Sequence, residues 1–356
     1  MSAIQQSGRA SRIEETSAVQ RTRSLDVPPV SAFVSYPSSW YLFGFTSELR
    51  EGPVSRRILG RDLAAYRTDD GRIVVLDARC SHLGADLGNG RVVGDCIQCP
   101  FHGWRYGPDG RCHGTSHADA IPSRFFQRVY PVVERHGMIF FFNGSEPLFP
   151  LPFFQGEQPE DFTRGMPVEF VAGCTWFMVA AHGYDTQHFE SVHGRRLHAP
   201  LVVDCPSPFA RRSQYRADVL GEAYYDRVLR RFAGRTVEIS ITTWGGTLVL
   251  ITGKFARAIS RFMIALQPLE DATTRCQVIV FTKRSGNPLA RYLFQPAGLR
   301  VRRLFTGAYL IAEAKGLGAP RYNPSGLIEA DREMIEYFHW AAALPAGSFE
   351  SQDTAS

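Results

Sequence analysis

The sequence predicts an α+β protein in which a small all-β domain precedes a domain that combines an antiparallel sheet with helices. Three features carry this prediction. Residues 54–76 alternate short β-type runs with turn sequences. Prolines then recur through residues 147–159 and exclude a helix or a central strand there. Strand patterns over residues 237–282, followed by helical patterns, complete the second domain.

The first domain consists of short strands. Within residues 54–76 the runs are separated by Gly60-Arg61-Asp62 and by Asp69-Asp70-Gly71, which are typical of tight turns. Later strands are predicted over residues 91–93, 129–133 and 138–142.

The second domain mixes helices with strands. Helices are predicted over residues 175–192, 299–314 and 325–343. The strand candidates between them are residues 237–243, 247–252, 261–268 and 276–282. The predicted boundaries are a disordered tail at residues 1–30, the all-β domain at 31–146, a proline-rich linker at 147–160, the second domain at 161–345 and a second tail at 346–356.

Charge and hydropathy exclude several classes of function. The chain has 40 basic and 35 acidic residues, a net charge of +5, and its arginines are spread out rather than interleaved with stacking aromatics. Nucleic acid is therefore not a predicted partner. No apolar run approaches the roughly 18 residues of a membrane span. The first 30 residues contain no apolar signal core, so we expect a cytoplasmic protein.

The cysteines indicate metal binding before disulfides. There are seven, an odd number, and four of them lie within 33 residues, mixed with histidines. Cys80 and His82 form a C-x-H pair, and after sixteen intervening residues Cys99 and His102 form a C-x2-H pair. Each pair can present one thiolate and one imidazole from a tight loop. Two such loops can hold a [2Fe-2S] cluster in the Rieske arrangement, in which one iron takes both cysteines and the other takes both histidines.

A zinc site is the competing interpretation of the same segment. Cys96 and Cys99 form a C-x2-C pair, and Cys112-His113 follows nearby, so four zinc ligands can be drawn. That site leaves Cys80 and His82 without a role. In the Rieske arrangement, Cys96 and Cys112 are instead ordinary small side chains.

A second metal site is predicted near the start of the second domain. His188 and His193 are five residues apart, and a helix that bends or ends near Gly194 would bring both imidazoles to one point. Asp185 lies three residues before His188 and can hydrogen-bond near that ligand. Two histidines and one carboxylate on one face of a ferrous ion leave positions open for other ligands.

The carboxylate is predicted at Asp331. On the last predicted helix, Asp331 falls within an apolar stripe that also contains Leu327 and Ile335. A carboxylate on a buried face is costly unless it is paired or bound to metal. A salt bridge to a buried arginine is the alternative role of this side chain.

The two cysteine–histidine motifs, at residues 80–87 and 96–106, resemble those of the Rieske non-haem iron oxygenases, with the closest resemblance to the aminopyrrolnitrin oxygenase type. The resemblance covers roughly residues 39–343. It is highly specific in the two loops and thin across the middle of the second domain. It implies a Rieske [2Fe-2S] domain followed by a helix-grip, START-like catalytic domain with a mononuclear iron.

The resemblance also implies roles for individual residues. Cys80, His82, Cys99 and His102 would hold the cluster, and the mononuclear Fe(2+) would be held by His188, His193 and Asp331. Asp185 would bridge to a cluster histidine of the neighbouring subunit in a homotrimer. His182 departs from the pattern, because many relatives carry asparagine there; a core histidine and an extra group at the iron site both remain open.

The implied reaction uses O2 and electrons that originate from NAD(P)H. The sequence has no G-x-G-x-x-G dinucleotide motif after a strand, so a separate reductase or ferredoxin is expected. The expected substrate is an aromatic or heteroaromatic small molecule, such as an intermediate of a specialised metabolite. Phe177, Phe189 and Trp244 are candidates to line its cavity, and the alternative for each is an ordinary place in the core. Arylamine N-oxygenation and C–H oxidation or cyclisation both remain open. The alternative function is a Rieske electron-transfer protein whose second domain binds a ligand without catalysis.

Overall fold

The structure is a computed structural model that describes residues 25–115 and 125–347. The predicted disordered tails lie largely outside the described residues. Within the described part, the chain forms four antiparallel sheets and five α-helices. The predicted α+β class is confirmed.

The first part of the chain forms three small antiparallel sheets. The turn predicted at Gly60 joins two neighbouring strands and contains Leu59 and Gly60 at φ +54° and +73°, a left-handed pair that suits a tight hairpin. The strands are β1 (Trp40–Phe45), β2 (Val54–Ile58), β3 (Arg61–Arg67), β4 (Ile73–Asp77), β5 (Arg91–Val93), β6 (Cys96–Gln98), β7 (Arg105–Tyr106), β8 (Val129–Tyr130), β9 (Val132–Arg135) and β10 (Met138–Phe142). The sheet orders are β1-β10-β9, β2-β3-β4-β8 and β5-β6-β7.

The second part is organised around one nine-stranded antiparallel sheet. Its strands are β11 (Phe162–Arg164), β12 (Val168–Ala172), β13 (Arg195–Leu197), β14 (Val202–Ser207), β15 (Ala210–Val219), β16 (Thr236–Trp244), β17 (Leu248–Phe255), β18 (Ile259–Pro268) and β19 (Thr274–Lys283). The main order is β11-β19-β18-β17-β16-β15-β13, with β12 also paired to β19 and β14 to β15. The four strands predicted between residues 237 and 282 correspond to β16 through β19.

Five α-helices accompany this sheet. They are α1 (Trp176–Ala181), α2 (Thr186–Ser191), α3 (Tyr224–Phe232), α4 (Pro288–Leu317) and α5 (Arg332–Ala342). The long helix α4 packs against β12 and β19. Of the helices in the described part, none has both the length and the apolar composition that crossing a membrane would require.

The helix predicted over residues 175–192 is broken into two. After α1, a 3-10 turn over His182–Tyr184 leads to Asp185, whose extended backbone (φ −91°, ψ 99°) ends the first helical segment. The Asp185 carboxylate accepts a hydrogen bond from the His188 backbone N–H at 2.9 Å and caps α2. The prediction of one continuous helix was wrong because this local cap competes with the helical ladder.

The last helix is also shorter than predicted. Two 3-10 turns precede it, and α5 itself begins at Arg332. Asp331 is therefore the residue before the helix, and it is half-buried rather than part of a buried stripe. Its carboxylate accepts from the Ile328 backbone N–H at 2.9 Å, which holds the turn that starts the helix.

The proline-rich segment is packed against both parts of the chain. Phe149, Leu151 and Phe154 are buried in a core that contains residues of β1 and β10 together with residues of β17, β18 and β19. The Trp40 indole N–H donates to the Phe149 carbonyl at 2.9 Å. The segment predicted as a linker thus supplies apolar contacts between the small sheets and the large one.

Candidate metal centres and cavity

The two cysteine–histidine loops have the same backbone turn. In the first loop, the Cys80 N–H donates to the Ala85 carbonyl at 2.9 Å, and the Gly84 N–H donates to the Cys80 carbonyl at 2.8 Å. The second loop has the same pattern: the Cys99 N–H donates to the Trp104 carbonyl at 2.7 Å, and the Gly103 N–H donates to the Cys99 carbonyl at 3.2 Å. Both glycines are left-handed, at φ +75° and +70°, a conformation that a side chain disfavours.

The side chains of the loops are paired by type. Cys80 and Cys99 are both buried and interact with each other. The rings of His82 and His102 lie 4.9 Å apart, and His82 stacks on Trp104 at 4.4 Å. One thiol pair and one imidazole pair fit the Rieske donor set, in which each iron takes two protein ligands of one type.

A tyrosine hydroxyl reaches the cysteine pair. Tyr106 Oη lies 3.1 Å from Cys80 Sγ and 3.0 Å from Ser81 Oγ. Burial raises the pKa of the Cys80 thiol, and bound iron would favour its thiolate form. Hydrogen bonds to the sulfur ligands of a cluster influence its reduction potential.

The zinc alternative is not assembled. Among residues 25–115 and 125–347, no group of three or more histidine, cysteine, aspartate or glutamate side chains is arranged around one metal position. His113 instead lies 3.4 Å from Asp109, and Cys112 is a backbone bridge partner of Tyr106. The Rieske donor set needs only pairs of ligands at each iron, so the same finding does not conflict with it.

The two histidines of the second domain do meet. α2 ends at Ser191, and the chain turns through Gly194 at φ +56°, so that His188 Nε2 and His193 Nε2 lie 3.0 Å apart. Imidazole nitrogens bind divalent metals at about 2.1 Å, and two such bonds at a right angle place the nitrogens about 3.0 Å apart. The pair therefore fits two adjacent positions on one metal ion.

His182 and Asp185 lie beside this pair in different ways. The His182 ring stacks on His188 with ring centroids 4.8 Å apart, since the 3-10 turn brings it over α2. Asp185 is half-buried and caps α2 as described above. His182 is thus a neighbour of the histidine pair.

Asp331 does not complete a three-residue metal group in this structure. Its Oδ1 accepts a hydrogen bond from Gln187 Nε2 at 2.9 Å, one residue before His188 in α2. The expectation that an apolar helix face buries this carboxylate was wrong, because α5 starts one residue later. The side chain does lie against the helix that carries the first histidine.

Two residues at this centre were not predicted from the sequence. Tyr309 of α4 stacks on His193 with ring centroids 4.7 Å apart, and its hydroxyl hydrogen-bonds to His193 Nδ1. Arg195 donates to the His193 carbonyl and forms a buried ion pair with Asp226 at 2.8 Å. The Tyr309–His193 contact and the Arg195–Asp226 ion pair join separate segments of the chain, so no local spacing in the sequence indicates them.

The histidines face a cavity of about 240 Å³ between the large sheet and the helices. Its walls are mostly aliphatic and aromatic, and the polar side chains His182, His188, His193, Thr306 and Tyr309 are among the lining residues. Phe189 lines it as predicted. Phe177 and Trp244 do not; they pack on Phe33 and Phe149 instead.

The comparison with protein families decides what the two loops are. A family model described as the Rieske [2Fe-2S] domain matches residues 39–127. The first part of this chain is a Rieske domain. Its description implies a [2Fe-2S] cluster, for which the paired Cys80, Cys99, His82 and His102 side chains provide fitting donors.

Curated relatives of this Rieske protein include oxygenases. Aminopyrrolnitrin oxygenase of Pseudomonas fluorescens is 36% identical over 172 residues, which are 46% of this chain and 47% of that protein. Cholesterol 7-desaturase of Xenopus laevis is 40% identical over 149 residues, 40% of this chain and 32% of that protein. The predicted resemblance to the Rieske non-haem iron oxygenases is confirmed. The chain spans less than half the length of these relatives.

Solved structures extend the similarity of fold beyond the Rieske domain. The structure of dicamba monooxygenase bound to dicamba covers 87% of this chain and 98% of its own, with a TM-score of 0.59 and 19% identity. The NdmA variant of Pseudomonas putida CBB5 with caffeine covers 85% and 89%, with a TM-score of 0.63 and 19% identity. The second part of the chain thus has the fold that these proteins share.

Proposed function

We propose that this protein is the oxygenase component of a Rieske-type system, which uses O2 and externally supplied electrons to oxidise an apolar small molecule. The observation that carries this proposal is the His188–His193 pair, 3.0 Å apart at the wall of an apolar cavity. A Rieske domain that only carried electrons would have no use for a second pair of metal-binding side chains.

The chain's residues divide the work between the two centres. When bound, the cluster and a ferrous ion supply one-electron transfer and activation of dioxygen. With Cys80 bound as a thiolate, the Tyr106 hydroxyl would donate to its sulfur and orient that ligand. Tyr309 hydrogen-bonds to His193 Nδ1, so that Nε2, which lies beside His188 Nε2, is the nitrogen that would face the metal position. The apolar walls of the cavity exclude water and hold the substrate beside the histidines.

Asp331 remains the proposed third ligand. Its contact with Gln187 places it against α2, and replacing that hydrogen bond by a bond to iron would complete two histidines and one carboxylate. The stacked ring of His182 is the alternative third group, since it lies beside His188 on the cavity side.

We propose a homotrimer in which Asp185 pairs with a cluster histidine of the neighbouring subunit. The tip of the Rieske domain supports this arrangement. Leu83 and Phe101, which flank the histidine loops, are 64% and 63% exposed. Apolar side chains beside partly exposed His82 and His102 suit a protein surface that covers them.

The proposed substrate is an aromatic or heteroaromatic molecule, and electrons would reach the cluster from NAD(P)H through a separate reductase or ferredoxin. The similarity to aminopyrrolnitrin oxygenase favours oxidation at an aryl amine nitrogen. The similarity to cholesterol 7-desaturase favours oxidation at carbon. The products formed from an arylamine, and from the same molecule without its amino group, would distinguish oxidation at nitrogen from oxidation at carbon.

The test is the content of iron and acid-labile sulfide per chain after anaerobic purification and reconstitution. About three irons and two sulfides are expected, and His188→Ala should lose one iron while it keeps both sulfides. About two irons and two sulfides, unchanged in the variant, would contradict the oxygenase and leave an electron-transfer protein with a ligand-binding domain.

A further inference from the structure

We infer that the cavity selects an uncharged, elongated substrate of at least two linked or fused rings, which lies along strand β17 with its reactive end at the histidines. This inference rests on the proposed function, because it concerns the substrate of the same site. Three observations carry it: the length of the cavity floor, its lack of an available charge, and a glycine halfway along it.

The floor of the cavity is long in one direction. Val249, Ile251, Gly253 and Phe255 are alternate residues of β17 and all line the cavity. Their span is six residues, or about 20 Å at the usual rise of a strand. A cavity of about 240 Å³ also exceeds the roughly 150 Å³ of an engineered protein cavity that holds one benzene. A single ring would leave much of this space empty.

The histidine end can be located on this floor. Gly183 follows His182, and a methyl group added to Gly183 would meet Ile241 at 3.0 Å. Ile241 is paired with Ile251 in the sheet, whereas Phe255 is paired with Val237. From Ile251 to Phe255 is four residues, about 13 Å. A molecule that reaches from the histidines to Phe255 is therefore longer than one aromatic ring.

The described side chains that line the cavity offer no unpaired Lys, Arg, Asp or Glu charge to a substrate. Of the described residues that line it, none is Lys, Asp or Glu, and the single arginine is Arg195. The Arg195 guanidinium lies 2.8 Å from the Asp226 carboxylate, and both side chains are almost fully buried. Away from the histidine end, a carboxylate on the substrate would lose its hydration without gaining a partner among these side chains, which is costly. The apolar walls thus favour a neutral molecule.

Gly253 controls the length of the cavity. It lies between Ile251 and Phe255 on the cavity face and is buried. A Cβ at this position would make ordinary contacts, 3.5 Å to Phe255 and 3.7 Å to Val237, and the backbone is not left-handed. A larger side chain can therefore be introduced with little strain, and it would project into the middle of the cavity.

The experiment compares three probes by calorimetric titration into the purified chain with its cluster. Indole is the short probe, 2-phenylindole the long probe, and 4-(indol-2-yl)benzoate the long probe with a negative charge. We expect 2-phenylindole to bind at least tenfold more tightly than indole. The benzoate should bind at least tenfold more weakly than 2-phenylindole.

Gly253→Leu is the decisive variant, with Gly253→Ala as its matched control. Gly253→Leu should lower the affinity for 2-phenylindole at least tenfold and change the affinity for indole less than twofold. Gly253→Ala should change neither affinity by more than about threefold. If Gly253→Leu does not fold, Ser260→Leu replaces it, because Ser260 is paired with Gly253 and lines the cavity at the same level. Equal affinities of the two neutral probes, an equal effect of leucine on both, or the absence of binding by either would overturn the inference.

The iron count separates this inference from the proposed function. If the protein prefers the long probe but contains only about two irons per chain, the elongated cavity is supported and the oxygenase function is contradicted. About three irons with no preference for the long probe would keep the oxygenase and overturn the elongated substrate.

Discussion

The cluster loops and the histidine pair of the second domain are built in opposite ways. Each cluster loop closes on itself within six residues, and the two loops repeat the same turn. The histidine pair depends on distant segments. Tyr309, which holds His193, is 116 residues away, and Asp331, which contacts Gln187, is 144 residues away.

This difference predicts how each centre responds to change. Removing a ligand from the local centre takes away the metal that holds the two loops together, and so affects folding as well as chemistry. Removing a contact from the His188–His193 centre should lower its affinity for the metal or the substrate, while the large sheet remains folded. The following variants test that contrast.

The largest effect is expected from Cys80→Ala. We expect the loss of both acid-labile sulfides and two irons, together with a marked fall in the thermal stability of the first domain, because cluster binding contributes to the stability of its loops. Sulfide analysis and calorimetric unfolding measure both quantities.

Cys96→Ala is the matched control. Cys96 lies in β6, and the Rieske arrangement gives it no metal to bind. The variant should keep all of its iron and sulfide. Loss of metal from Cys96→Ala with retention in Cys80→Ala would instead support the zinc site.

At the second centre, Tyr309→Phe is expected to lower the affinity for ferrous iron about 10- to 100-fold, the usual range when an outer hydrogen bond to a metal-bound histidine is removed. The phenyl ring can retain the stacking on His193, so only the bond to Nδ1 is lost. Iron titration of the anaerobic protein measures the affinity, and the visible spectrum of the cluster should not change.

Tyr322→Phe serves as the control for that variant. The Tyr322 hydroxyl donates to the Pro28 carbonyl and is outside the cavity lining. It should leave iron affinity within about twofold. Equal losses in the two variants would show that Tyr309 acts through general stability rather than through His193.

The same contrast explains what could be predicted from the sequence. The pairing of Cys80 with Cys99 and of His82 with His102 could be predicted, because both loops carry their cysteine, histidine and glycine at short, fixed spacing. The strands β16 to β19 were accessible because their apolar residues are bounded by turns. The break at Asp185 was not, since a side-chain cap competes there with an otherwise helical pattern. Tyr309 could not be predicted, because only tertiary packing brings it to His193. Arg195 is close to His193 in the sequence, but its ion pair with Asp226 also depends on tertiary packing.

A smaller effect is expected from Gly84→Ala in the first cluster loop. Gly84 has φ +75° and no atom within 4 Å of an added Cβ, so the cost is purely conformational, about 1–2 kcal/mol of unfolding free energy. Gly298→Ala is the control: it lies in helix α4 with open space and no left-handed backbone, and should stabilise by about 0.5–1 kcal/mol. Denaturant unfolding compares the two. A stabilising effect of Gly84→Ala would contradict the shared turn.

The smallest effect is a change in reduction potential without loss of metal, in Tyr106→Phe. The Tyr106 hydroxyl lies 3.1 Å from Cys80 Sγ, and its hydrogen bond stabilises the more electron-rich reduced cluster more than the oxidised one. If the difference is about 1 kcal/mol, the potential should fall by about 40 mV for a one-electron couple. Tyr66→Phe removes another buried hydroxyl of the same domain, one that donates to the Asp95 carbonyl and not to sulfur, and should leave the potential unchanged. Equal shifts in both variants would assign the effect to packing. A shift confined to Tyr106→Phe would show that this single side chain sets part of the reduction potential of the cluster, although its loss does not change the metal content.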